Sequence, residues 1–357
     1  MRTRSIRRTS AILTLLALGA AVVGCGSSDE DTSGSAKAGK TVVIATHDSW
    51  AMSKEVLAEF KKQTGITVKT QQHGDAGELT NKLVLTKDHP IADGVFGIDN
   101  TFATRAVDEG VLAAYTPGDL PASAKAFALD SEAGDDLTPI DYGDVCVNVD
   151  DVWFRRHHLA PPRTLDDLTR SRYRGLFVTP GASTSSPGLA FLLTTVARYG
   201  DGWPAYWKKL VANDVKVTAG WSDAYEVDFS GGGGHGDRPI VLSYASSPPF
   251  TIPKGGSRPT TSSLLDTCFR QVEYAGVLKG AANPAGAKAF LSFMQQHSFQ
   301  AALPDEMYVY PVDDRVALPK AWSTYARTAS KPYTVPPSQI AQHRDAWLRE
   351  WSDVTSR

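Results

Sequence analysis

Cysteine is scarce in this chain, three in 357 residues, so a fold stapled by many disulfides is excluded. No Cys/His cluster has zinc spacing, and the adjacent His157 and His158 cannot share a helix face. The run Gly231-Gly232-Gly233-Gly234-His235-Gly236-Asp237 lacks a Lys-Ser/Thr ending, so it reads as a flexible surface loop and not a phosphate loop. No Gly-x-Ser-x-Gly elbow frames Ser183 to Ser186, and His47 is the one histidine placed at a strand end to act as base. A serine hydrolase would lack its parts, and the expectation is a protein that is not an enzyme. Basic charge is not in excess either. The net charge is −2, and residues 1–24 hold four arginines and no acids, which leaves 33 basic against 39 acidic side chains in the rest, a balance of −6. That argues against a nucleic-acid partner and is compatible with a cationic ligand.

What is present is ordinary globular composition, 42% hydrophobic and 21% charged. The N-terminus is the exception. Arg2, Arg4, Arg7 and Arg8 precede the apolar run Ala11 to Val23, which is too short to span a bilayer stably. Residues 1–24 therefore read as a secretory signal. It ends Val22-Val23-Gly24-Cys25, which resembles a bacterial lipobox and implies lipidation of Cys25. Residues 25–40 are Gly/Ser-rich and acidic near their start, a flexible tether. An anchor plus a tether would hold the folded part outside the cell membrane. There the remaining pair, Cys146 and Cys268, is a candidate disulfide, with two buried thiols as the alternative.

From Thr41 the pattern is α/β. Thr41–Thr46 is a β-branched strand, Ser53–Thr64 a capped helix stopped by Gly65, and Ile66–Thr70 a second strand. Such a βαβ opening implies a parallel sheet, with ligands outside the carboxyl ends of its strands. His47-Asp48, Asp75 and Asp99 stand at three such ends. A strand over residues 137–149 is interrupted at Asp141-Tyr142-Gly143-Asp144, and a strand at 175–179 runs through Ser183-Thr184-Ser185-Ser186 into an apolar helix at 189–199. That turn either caps the helix or holds an anion at its positive end. Further strands fall at 215–218 and 240–244, helices at 203–211, 285–296 and 340–354. Strands alternate with helices before and after about residue 141 with no Gly/Ser linker, so the chain passes between two lobes through ordered strands. Cys146 follows one crossing and Cys268 precedes the return.

In Gly220-Trp221-Ser222-Asp223-Ala224-Tyr225, the two aromatics lie four apart and share a face if helical. Such a face is either core or, with acids nearby, a platform for a flat organic cation.

Taken in order, Thr46-His47-Asp48-Ser49-Trp50, Gly97-Ile98-Asp99-Asn100, Ile140-Asp141-Tyr142-Gly143, Thr184-Ser185-Ser186-Pro187-Gly188-Leu189, Gly220 to Tyr225, Leu242-Ser243-Tyr244-Ala245-Ser246-Ser247-Pro248 and Tyr310-Pro311-Val312 carry a resemblance, joined by Gln342 to Trp347 with Glu350-Trp351. The chain from Thr41 onward resembles the periplasmic thiamine-binding proteins of bacterial ABC importers. The resemblance implies a two-lobe periplasmic-binding-protein type II fold, each lobe a mainly parallel sheet flanked by helices, joined by crossing hinge strands. The lobes would be 41–141 with 269–357, including a closing C-terminal helix, and 142–268. It implies thiamine or its phosphates as transported ligand, no cofactor and no metal, a membrane permease as partner, and a monomer. Motif by motif, the implied ligand contacts are Asp75, Ala76, Ser185, Ser186, Trp221 and Tyr244, Ala245, Ser246, Ser247, Pro248. Asp48 and Asp99 are added as charge complement, and Tyr308 stands near a family tryptophan. Phe250 takes the place of a family tyrosine, and Tyr225 is read as packing beneath the site. A ferric-ion or other cationic-solute binder of the same fold is the competing expectation; iron would require tyrosines such as Tyr308 and Tyr310 as hard oxygen ligands.

Overall fold

The computed structural model describes residues 39–129, 135–234 and 236–356. The signal segment 1–24, Cys25, nearly all of the tether 25–40 and His235 lie outside the described residues. No described helix is long and apolar enough to cross a membrane.

Among the described residues, eleven strands build one sheet. They are β1 (Thr41–Thr46), β2 (Thr67–Gln72), β3 (Gly94–Asp99), β4 (Leu112–Ala113), β5 (Thr138–Asp150), β6 (Phe177–Pro180), β7 (Lys216–Thr218), β8 (Ile240–Tyr244), β9 (Thr261–Ser263), β10 (Phe269–Leu278) and β11 (Tyr310–Pro311). The main order is β2-β1-β3-β10-β5-β8-β6-β7, with β4, β9 and β11 on side branches. The helices are α1 (Lys54–Thr64), α2 (Ala76–Leu85), α3 (Ala103–Asp108), α4 (Asp151–Arg156), α5 (Ser186–Tyr199), α6 (Trp203–Ala212), α7 (Pro284–Met294), α8 (His297–Glu306), α9 (Trp322–Tyr325) and α10 (Pro337–Thr355).

Both ends of the sheet are parallel: β1 pairs with β2 and β3, and β6 with β7 and β8. Each parallel pair needs a helical crossover, and the strand–helix alternation supplies it. Between the ends, β10 and β5 run antiparallel to each other and to their outer neighbours. These two strands are the crossings that join the lobes. The interruption expected at residues 141–144 is absent: β5 is continuous, because both its edges are paired there, with β10 on one side and β11 on the other. Polar residues in its middle are carried by ladder hydrogen bonds and by partners such as Arg270, whose guanidinium grips the fully buried Asp144. Cys146 and Cys268 are bonded beside this crossing, both buried.

One core lies on the sheet face covered by α2, α3, α5 and α6, with Leu79, Ile98, Leu189 and Trp207 in it. The other holds Val42, Ile44, Phe60, Phe96 and Phe290 beneath α1 and α7. Helix α10 packs on both α3 and α6, its Trp351 set edge-on to Trp207 at 5.6 Å, so the closing helix touches both ends of the sheet. Two local expectations are revised. Helix α8 follows α7 directly, and the glycine run is packed rather than loose: a Cβ on Gly232 would overlap the carbonyl oxygen of Tyr225.

The disulfide closes a separation of 122 residues. Replacing Cys146 and Cys268 together by Ala should lower unfolding stability by about 2–5 kcal/mol. Denaturant titration of the oxidised protein and the variant measures it; identical midpoints would count against a clamp at the crossing.

Candidate functional site

The carboxyl end of β1, the starts of α2 and α5, the segment after β7, the end of β8, the middle of β10 and residues 307–309 line one cavity of about 610 Å³, partly open to solvent. That figure includes open solvent; the space left for water-sized molecules is about 60 Å³, so the cleft is narrow in this form. Its location follows from topology, since strand ends of both lobes open on the same crevice.

Asp75 holds the two sides together. It caps α2, with Oδ1 accepting from the N–H of Ala76 at 2.6 Å. The same oxygen accepts from the N–H of Ser186, the first residue of α5, at 3.2 Å, and Oδ2 accepts from the N–H of Trp221 at 3.1 Å. The N-termini of α2 and α5 thus converge on one carboxylate, the charge that helix ends favour. In the other direction, the N–H groups of Gly77 and Glu78 donate to the carbonyl of Thr184 at 3.0 and 3.3 Å. Burial raises the Asp75 pKa, opposed by the hydrogen bonds made to it and by His47.

Trp221 forms one wall. The expected helical face exists as a stack: its ring lies 5.0 Å from that of Tyr225 at 12°, above a short π-helical stretch, Asp223–Asp228. The indole N–H donates to Ser243 Oγ at 2.9 Å, which in turn bonds Ser247 Oγ at 2.9 Å. Tyr244 meets Trp221 edge-on at 6.4 Å and donates its hydroxyl to Gln271 at 2.9 Å. Tyr308 closes the rim with positive φ (62°), stacked on Phe250 at 3.4 Å.

Acids form the floor. His47 and Glu273 face the cavity and stand 3.2 Å apart as an ion pair, bent away from hydrogen-bond geometry. Space for the imidazole exists because Gly97 has φ +98° and no Cβ; one there would overlap the ring. Burial alone would lower the His47 pKa, but Glu273 outweighs it and the net shift is upward. Burial likewise pushes Glu273 up, but His47 and Asp141 bring it below its usual value. Burial and the Glu273 charge hold Asp141 well above the carboxylate range. Burial raises Asp99 to about 7, against bonds to its Oδ1 from Thr101 and Phe102. Burial, then Glu273, Asp75 and Asp99, keeps the Tyr244 hydroxyl protonated.

Of the residues singled out from sequence, Asp75, Ala76, Ser186, Trp221, Tyr244, Ser247 and Tyr308 line the cavity. The others do not. Asp48 is exposed, accepting from its neighbour Ser49. Asp99 and Ser185 are fully buried behind the wall. Ala245 and Pro248 are buried, and Ser246 donates to the Tyr308 carbonyl at 2.5 Å. The helix end at Ser186 is not an open anion hole, because Asp75 already occupies its first N–H. The hydroxyl of Ser185 faces Asp75 and that of Ser186 faces Asp99, neither with regular hydrogen-bond geometry. Tyr310 lies away from Tyr308, its hydroxyl bonded to the Ala326 carbonyl, so these two tyrosines do not converge on the cavity. Sequence reasoning passed over Glu273, Met307 and Val309, and left His47 and Tyr225 outside the ligand set. An acid within the otherwise apolar end of β10 was the available signal for Glu273.

A single sheet with parallel ends, antiparallel crossings and a polar, aromatic cleft defines a bacterial extracellular solute-binding protein, and the family model of that description matches residues 90–232. The thiamine-binding periplasmic protein of Salmonella typhimurium is 30% identical over 325 residues, 88% of this chain and 94% of the relative. A solved periplasmic thiamin binding protein superposes with a TM-score of 0.76 at 28% identity, over 89% of this chain and 96% of the other. The chain belongs to the family of bacterial thiamine-binding periplasmic proteins. A ferric binding protein from Campylobacter jejuni, with TM-score 0.69 and 19% identity over 88% and 99% of the two chains, shares the fold alone.

The buried acids carry a pH signature. A carboxyl held at about 7 instead of 3.8 binds a proton more tightly in the folded state, so its stabilising effect is complete below pH 4 and is lost as pH rises towards 7. The difference is on the order of 4 kcal/mol. The raised Asp75, Asp141 and His47 act in the same direction, each losing its stabilising effect as pH rises above its unfolded pKa. The ligand-free protein should therefore melt on the order of 5 °C lower at pH 8 than at pH 5, and Asp99→Asn should flatten the dependence. Calorimetry across this range checks both; a midpoint that rises with pH contradicts the reading.

Proposed function

We propose that this protein captures thiamine or a thiamine phosphate between its lobes outside the cell membrane and delivers it to the permease of an ABC importer, acting as a carrier and not as an enzyme. One observation carries the reading: the aromatic rings of Trp221 and Tyr244 share a cavity with the carboxylates of Asp75 and Glu273. Thiamine is a thiazolium cation joined to a flat aminopyrimidine. Aromatic faces attract the cation, and carboxylates accept from the exocyclic amine. The hydroxyl of Ser186, on the cavity wall, suits the ligand's hydroxyethyl arm. Family membership supports the same ligand class. The ferric alternative loses its tyrosine pair, since Tyr310 is turned away.

Delivery requires opening and closing. In this reading residues 41–141 with 269–357 form one lobe and 142–268 the other, hinged on β5 and β10. A ligand touching both stabilises the closed form, to which Asp75 already contributes bonds across the cleft. The protein works as a monomer tethered through lipidated Cys25, with no resident cofactor.

Trp221→Ala should weaken thiamine binding at least tenfold, because an aromatic contact to a desolvated cation contributes roughly 2 kcal/mol and tenfold takes about 1.4. Isothermal titration with thiamine, its monophosphate and its diphosphate measures this; an unaltered affinity would remove Trp221 from the site. Cys25→Ser should move the protein from the membrane fraction to the medium or soluble fraction on cell fractionation, and continued membrane association would refute the anchor.

A further inference from the structure

Three carboxylates lie side by side beneath the cavity. In the sheet register Glu273 of β10 is opposite Asp99 of β3 on one side and Asp141 of β5 on the other. Residues in register on neighbouring strands project from the same face. All three are buried, Asp99 and Asp141 completely. Like charges directly opposite one another destabilise a sheet; Asp99 also caps the turn at Thr101 and Phe102, whereas Glu273 has no such local role. Asp141 shares its contact with Glu273, and Asp99 faces the Ser186 hydroxyl, in neither case with regular hydrogen-bond geometry. Only the middle member, Glu273, reaches the cavity, on the floor below Trp221 and Tyr244. Its one counter-charge is His47 at 3.2 Å.

We propose that Glu273 is the specificity-determining residue of the cavity: its carboxylate selects a cationic, donor-bearing ligand, and His47 is the resident cation that yields its proton when that ligand arrives. Asp141 is a positioning residue. It carries a proton towards Glu273 from the far side and leaves the carboxylate charge facing the ligand. The inference rests on the thiamine reading and adds to it the group that discriminates by charge. Arrival of an organic cation beside Glu273 makes the imidazolium redundant. Its N–H proton passes to solvent, neutral His47 remains, and Glu273 stays a carboxylate. A neutral ligand of the same shape would not displace that proton. The titratable groups facing this pair are Asp99 from β3, Asp141 from β5, Tyr244 from β8, Asp75 at the start of α2, and Asp48 next to His47. Burial and Glu273 push Asp141 and Tyr244 towards their protonated forms, so exchange with solvent reports chiefly on His47 and the acids nearest the ligand.

Thiamine is titrated calorimetrically into the full-length wild-type protein and Glu273→Gln at pH 7, in phosphate and in Tris, whose ionisation heats differ. The wild type should release a fraction of one proton on binding. Glu273→Gln should bind thiamine at least tenfold more weakly and release none, with the ligand-free melting midpoint within about 2 °C of wild type, as expected when one buried like charge is removed from a row. Glu273→Gln that binds and releases protons as wild type overturns the inference alone. So does a loss of affinity accompanied by a collapse of the midpoint in a variant that still folds, since that marks a structural role. Should the variant not fold, proton release by the wild type decides: none at pH 6, 7 and 8 overturns the proposal. A wild-type protein that gives no binding heat with thiamine overturns the ligand reading and this inference together.

Discussion

The carboxylate of Asp75 is the contact on which the arrangement of this cleft depends. Two helices from opposite ends of the sheet, α2 and α5, begin at the same point, and each brings unsatisfied N–H groups and a positive dipole end. Left apart, both would need water or ligand. Brought together, they share one acid, which also takes the N–H of Trp221. The position of the tryptophan is therefore set by the closed cleft itself. An anionic cap that reaches across a hinge joins local helix stability to lobe closure, and places the aromatic wall opposite the acidic floor.

Acids lie both on and behind this floor. Burial, neighbouring charge or both hold Asp75, Asp99 and Asp141 above their ordinary range. Acids raised in this way favour the neutral form, so the charge beneath the cleft depends on pH and on what lies beside it. The aromatic walls add attraction for a cation. The disulfide and the Asp144–Arg270 pair both link β5 to β10 or to the segment just before it, where the crossing strands lie side by side.

Much of the fold was legible in local pattern. The opening βαβ unit, the Ser53 cap, the helix stop at Gly65 and the apolar helix after Ser186 depend on interactions within a few residues, and the structure has them. Continuous β5 was not legible, because Asp141 and Asp144 look like a turn until both edges of the strand are known to be paired. The glycine run likewise looks like a loose loop until the carbonyls of the π-helical stretch are seen packed against it.

The candidate site divides along the same line. The sequence by itself determined the supply of chemistry: an acidic balance, carboxylates at strand ends, aromatics near Trp221 and hydroxyls at a helix start. These follow from residue type and short-range spacing. Only the tertiary structure decided which of them meet. Asp48 turns to solvent, Asp99 is sealed behind the wall, and the free helix end at Ser186 is filled by an acid 111 residues away. Glu273 becomes part of the floor because strand register sets it between Asp99 and Asp141 and beside His47. Register is a property of paired strands distant in sequence, and a single strand read alone does not contain it.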